Sequence, residues 1–107
     1  MEPDQERYKR ALEKCYSVIT ESLNFDDIKS KLIPENVISL AEKGVIEELT
    51  GEHNRIGRLL DTLERSNLEV TYPRFRSILQ EVQKHHIVRL LDDVVLGNKF
   101  YLLSYLF

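Results

Sequence analysis

Three histidines, one cysteine and three adjacent carboxylate pairs are the side chains best suited here to metal, thiol or acid–base chemistry. Asp26-Asp27, Glu47-Glu48 and Asp92-Asp93 are sequence neighbours. On a helix, neighbours point about 100° apart, so no pair makes an acid/base dyad around one substrate. Solvated surface is the expectation for all three. His85 and His86 are also adjacent, and His53 is distant in sequence. Paired helical metal ligands instead share a face, as in H-E-x-x-H. Cys15 falls on an apolar helical stripe and reads as a buried thiol. No G-x-S-x-G, P-loop or G-x-G-x-x-G is present. These residues predict no catalytic site, no metal and no cofactor, and a protein that is not an enzyme.

The bulk composition narrows the classes further. The 107 residues suit one domain, long enough to bury a core without disulfides or metal. Hydrophobic residues make up 42% and charged ones 31%, the balance of an ordinary globular domain. A net charge of −3 does not point to nucleic acid or to an anionic membrane surface. One cysteine excludes an intrachain disulfide and fits a reducing, cytoplasmic setting. The charged start MEPDQERYKR does not resemble a secretory signal, and no apolar run reaches the ~20 residues of a membrane span.

What remains is electrostatic. Arg7, Arg10, Lys14, Arg55 and Arg58 form a candidate basic set on the first and fourth predicted helices. Asp26, Asp27, Glu35, Glu42 and Glu47 form a candidate acidic set on the second and third helices and their connector. If each set gathers on one side, copies can dock head to tail, and a heterologous contact that does not close gives a helical filament. Scattered surface charge is the competing reading.

The elements that would position these charges are helical. Tyr8, Leu12, Cys15, Ile19 and Leu23 make one stripe on a helix opened by Pro3 and Asp4. Asn24 or Asp26 would cap a short second helix carrying Ile28, Leu32 and Ile33, stopped by Pro34. Val37 and Ile38 should plug into the core. Ser39 and Glu42 form a capping box for a third helix, Leu40 to Leu49, that buries Val45, Ile46 and Leu49. Gly44 would either admit a neighbouring helix or simply weaken its own. Ile56, Leu59, Leu60 and Leu63 face inward on a fourth helix that runs to Ser66-Asn67, with Arg58, Thr62 and Arg65 on the far side. Leu68 to Thr71 read as a connector, and Pro73 as the first turn of a fifth helix with Phe75, Ile78, Leu79 and Val82. After a break at Lys84-His85-His86, Ile87, Leu90, Leu91, Val94 and Val95 mark the sixth, stopped by Gly97-Asn98. The expectation is an all-α, six-helix antiparallel bundle over residues 1–96.

Three segments resemble the caspase-recruitment domain (CARD) of the death-fold superfamily: LIPENVIS (Leu32 to Ser39), RIGRLLDTLERS (Arg55 to Ser66) and YPRFRSILQEV (Tyr72 to Val82). The likeness spans Tyr8 to Asp92. It implies Greek-key topology, a kinked first helix, and homotypic CARD–CARD association, with itself or other CARD proteins, in apoptotic or innate-immune signalling. It also implies that Arg10, Arg55 and Arg58 meet acids such as Asp27, Glu35 and Glu42 of a neighbour. The connector Asn67 to Thr71 lacks the family's frequent glycine. The apolar tail, residues 97–107, is not typical of the family. It would pack back on the bundle, join a second chain or lead into a longer protein. Another death-fold module of the death-effector type, or a non-signalling helical dimerisation domain that uses the tail, is the alternative.

Overall fold

A break at Cys15 divides the first predicted helix into α1 (Asp4–Lys14) and α2 (Tyr16–Ser22). Five further helices follow: α3 (Phe25–Leu32), α4 (Leu40–Glu48), α5 (Glu52–Glu64), α6 (Leu68–Glu81) and α7 (His85–Val95). The structure is a computed structural model and describes residues 3–97. Among these residues all regular structure is helical, so the all-α expectation holds. The apolar tail lies outside the described residues from residue 98 on.

The break at Cys15 bends the helix without ending the backbone ladder. Cys15 N–H still reaches Ala11 O at 3.0 Å, and Ile19 N–H reaches Cys15 O at 2.9 Å. The apolar stripe therefore runs through, with Leu12, Cys15, Ile19 and Leu23 all buried. The bend lets the two halves serve different neighbours. α1 packs on α6 and α7, while α2 packs on α5.

α3 is capped from a distance. Neither Asn24 nor Asp26 caps it, contrary to expectation. Instead Glu52, at the start of α5, accepts the Phe25 N–H at 2.7 Å. A carboxylate there satisfies an orphan donor and suits the positive end of the helix dipole. Nor does Pro34 force Ile33 out of helical geometry, since Ile33 sits at φ −76°, ψ −48°. The pre-proline bias is a preference, and here the turn that follows overrides it. Val37 N–H bonds Leu32 O at 2.8 Å across a left-handed Asn36 (φ 56°). That turn drives Val37 and Ile38 into the core as predicted.

The capping box of α4 is complete. Ser39 Oγ accepts the Glu42 N–H at 3.1 Å, and Glu42 Oε1 accepts the Ser39 N–H at 2.7 Å. The predicted inward face of α4 is wrong, however. Only Ile46 is fully buried, Leu49 is half-buried and Val45 is exposed. α4 lies against α5 alone among its substantial neighbours, so one buried row suffices.

α5 presents Ile56, Leu59, Leu60 and Leu63 to the centre, all fully buried. It ends at Glu64, short of Ser66. Thr62 also turns inward, contrary to the sequence reading, and its hydroxyl donates to Arg58 O at 2.9 Å. Gly57 is the glycine that admits a close neighbour. A methyl added there would lie 2.6 Å from the Tyr16 hydroxyl, whereas around Gly44 nothing comes within 4 Å.

The predicted connector Leu68 to Thr71 is the first turn of α6, and Pro73 lies inside that helix. Gln5 of α1 holds the start: its Oε1 accepts the Leu68 N–H at 2.8 Å and its Nε2 donates to Ser66 O at 3.3 Å. Thr71 N–H returns to Asn67 O at 3.0 Å. Pro73 forfeits one bond to Glu69, but both residues are exposed, so the loss falls on the wet side. The break before α7 falls earlier than Lys84-His85-His86: the turn runs through a left-handed Gln83 (φ 62°), and His85 and His86 open α7. Gly97 (φ 76°) ends α7. Phe25, Phe75 and the buried leucines and isoleucines contributed by all seven helices form one continuous core.

Candidate protein-interaction faces

Arg7 and Arg55 hold main-chain carbonyls inside the molecule. Arg7 donates through Nη2 and Nε to Val95 O, at 2.8 and 3.2 Å, and through Nη1 to Asp4 Oδ1 at 3.3 Å. A guanidinium on the last carbonyl of α7 caps its negative end. Arg7 is thus a clip between α1 and α7 and does not lie on the outer face of α1. Arg55 donates through Nε to Leu49 O at 2.9 Å and through Nη2 to Glu47 O at 3.4 Å, with Glu52 at 3.5 Å. It closes the end of α4 onto α5. Sequence spacing placed both on a surface, but their acceptors are main-chain carbonyls that only folding supplies.

The other three cations remain outside. Arg10 and Lys14 are exposed on α1, and Arg10 shares a shallow depression with Glu6, Lys9 and Glu13. Arg58 is exposed on α5. It lines a depression between α1 and α5 with Lys9, Asp61, Glu64 and Arg65. Lys9 and Arg65 were absent from the basic set. Arg65 was findable, because it follows Arg58 by seven residues, two helical turns on the same face. Glu64 in this depression has its carboxyl pushed above its usual range, chiefly by burial and then by Glu13 and Asp61, with Lys9 opposing.

The acidic candidates are less uniform. Asp26 and Asp27 are exposed at the start of α3, with Lys29 Nζ 3.0 Å from Asp26 and Lys84 Nζ 3.9 Å from Asp27. Glu35 and Glu47 are exposed. Glu42 spends one oxygen on its capping box. It also lies beside Arg58 and Arg65, where Ala41, Val45 and Thr62 complete a second depression, between α4 and α5. The basic and acidic sets therefore touch along the α4–α5 seam. Away from that seam, the exposed cations of α1 and α5 and the exposed acids of α3 occupy different elements.

The groups considered for chemistry are placed as follows. Cys15 is buried, and its thiol is pushed up to about 11, by burial first and Asp93 second. Tyr72, stacked on Tyr8 with ring centroids 4.2 Å apart, is raised by burial and then by Asp92. Its hydroxyl is buried with no hydrogen-bond partner among the described residues. Asp92 takes a two-pronged ion pair from Arg76 at 2.6 and 2.7 Å, which ties α6 to α7 and raises Arg76 further. His85 Nδ1 lies 2.8 Å from Gln80 Oε1, and His53 and His86 are exposed. Among the described residues no group of three or more His, Cys, Asp or Glu could hold a metal ion, and no helix is long and apolar enough to cross a membrane. Comparison with family models, with curated proteins and with solved structures returns no match to this chain.

Proposed function

We propose that this chain is a death-fold interaction module of the CARD type. It acts by docking exposed cations of α1 and α5 on exposed acids of α3 and its connector in a neighbouring copy or a related domain. The observation that carries the reading is the meeting of α1 and α5 at the surface, where Lys9, Arg58 and Arg65 line one depression. The neighbours of the helices support it too. Counted as one bent helix, α1 and α2 pack on α5, α6 and α7, while α3 packs on α5 and α6 and α4 on α5. Such neighbours are compatible with a six-helix bundle whose first helix is kinked. The working cations in this reading are Arg10, Lys14 and Arg58, beside Lys9 and Arg65, and the working acids are Asp26, Asp27 and Glu35, joined by Glu47 of α4. Arg7 and Arg55 are removed because they hold the fold together. Complementary charge at such a surface sets partner choice and encounter rate, and is screened by salt.

The test is self-association of the full chain, followed by light scattering across a salt series. Arg58→Glu keeps the wild-type melting temperature, because Arg58 is exposed. It weakens association about ten-fold, the equivalent of about 1.4 kcal/mol. Asp27→Lys does the same, and mixing the two variants restores association. Association that ignores both reversals and is indifferent to salt refutes the reading.

A further inference from the structure

We infer that the outer face of α4 is a two-fold interface between two copies of this chain, which borders the head-to-tail contact above at Arg58 and Glu47 but does not need the acids of α3. Among the described residues α4 is the least enclosed of the helices: α5 is its one substantial neighbour there, while every other helix has at least two. Four large hydrophobic residues are exposed among the described residues, and two of them, Leu40 (74%) and Val45 (43%), lie on this nine-residue helix. Leu40, Ala41, Gly44, Val45 and Glu48 follow at i, i+1, i+4, i+5 and i+8, a single strip opposite the buried Ile46. Gly44 sits at the middle of that strip with nothing within 4 Å, so a second backbone can approach there.

The charges at the two ends choose the occupant. Arg58 and Arg65 of α5 flank the N-terminal half of α4, beside Ala41, Glu42 and Val45. The C-terminal end carries exposed Glu47 and Glu48. Glu42 offsets one of the two arginines, so the face keeps a single positive excess at one end, is negative at the other and is apolar between. Two copies laid antiparallel across Gly44 bring each acidic end onto the other's arginines. Every contact is then made twice, as a closed isologous interface requires. α4 is only about 13 Å long at 1.5 Å per residue, so Glu48 and the arginines lie within side-chain reach of each other on either side of such an axis. A second copy satisfies apolar surface and both charges together, whereas a uniformly acidic or basic partner satisfies one end alone.

Sedimentation equilibrium of the full chain, with four single variants and one double variant, tests this. With the head-to-tail contact impaired by Asp27→Lys, the chain forms a concentration-dependent dimer that stops at two. Gly44→Gln fills open space on an exposed helix position, so its melting temperature is unchanged or higher, yet it weakens the dimer ten-fold or more. Glu48→Arg and Arg65→Glu each weaken it, and the double variant restores it to within about three-fold, because both pairings are reversed together. Asp27→Lys leaves this dimer intact while impairing head-to-tail association, which separates the two contacts. A chain that stays monomeric to millimolar concentration overturns the proposal. So does a dimer indifferent to Gly44→Gln, which would place another surface or residues 98–107 at the interface. Failure of the double variant to recover overturns the two-fold geometry.

Discussion

Arg7 and Arg58 carry the same charge on two helices that meet, yet only Arg58 is left exposed. Arg7 sends both nitrogens of one edge to Val95 O, and its side chain is 30% exposed. Arg58 stays on the surface. Arg7→Met keeps the aliphatic stem and removes the donors. Bonds from a charged donor are worth roughly 1.5–3 kcal/mol when shielded, and partial exposure discounts them. The expected loss is about 1 kcal/mol in urea unfolding, with self-association unchanged once the protein is folded. An Arg7 variant that keeps wild-type stability but fails to associate would return Arg7 to the basic face. Cys15 gives the same lesson for chemistry. With its thiol pushed up to about 11 by burial, it stays protonated and unreactive at neutral pH.

At the scale of the element, periodicity identified the helices and the packed face of all but α4, while several of their ends came from elsewhere. Ser39 and Glu42 cap α4 from within four residues, so that start was legible in the chain. Glu52 caps α3 and Gln5 caps α6 from helices remote in sequence, so α3 begins after Asn24 as expected but with a different capping side chain, and α6 begins at Leu68, ahead of the expected Pro73. Gly57 shows how closely α2 and α5 approach. Gly57→Ala drives a methyl into the Tyr16 hydroxyl at 2.6 Å, so the tyrosine must swing aside. With the hydroxyl removed, the nearest atom is the ring carbon that bore it, 3.6 Å away, an ordinary contact. The expected outcome is a coupled cycle. Gly57→Ala destabilises the wild type, but in the Tyr16→Phe background it is neutral or gains up to about 1 kcal/mol of helix propensity. Additive effects in a double-mutant thermal series would show that the two helices lie farther apart.

For the molecule as a whole, seven short helices share one core, and α5 is its hub, touching α1, α2, α3, α4 and α6. A cavity opened on α5 is therefore felt throughout. Leu60→Ala, at a fully buried site, should cost about 2–5 kcal/mol. Loss should appear as a single cooperative transition, followed by circular dichroism and by tyrosine fluorescence with coincident midpoints. Separate midpoints for the two probes would mean that the helices around α5 do not unfold as one body. The same hub explains the surface. Because α5 is enclosed by neighbours on most sides, its exposed ridge is narrow, and Arg58 and Arg65 are gathered there between α1 and α4.

By itself the sequence determined that this chain is helical, where its apolar stripes run, and that Val37, Ile38 and Cys15 go inside. Those outcomes rest on the 3.6-residue repeat and on bonds that close within one turn. Only the tertiary structure decided which charges survive as a surface. The acceptor of Arg7 lies 88 residues away and the partner of Gln5 lies 63 residues away. Tertiary packing likewise left Leu40 and Val45 uncovered, because a helix with a single neighbour has one buried row, whatever its own pattern suggests.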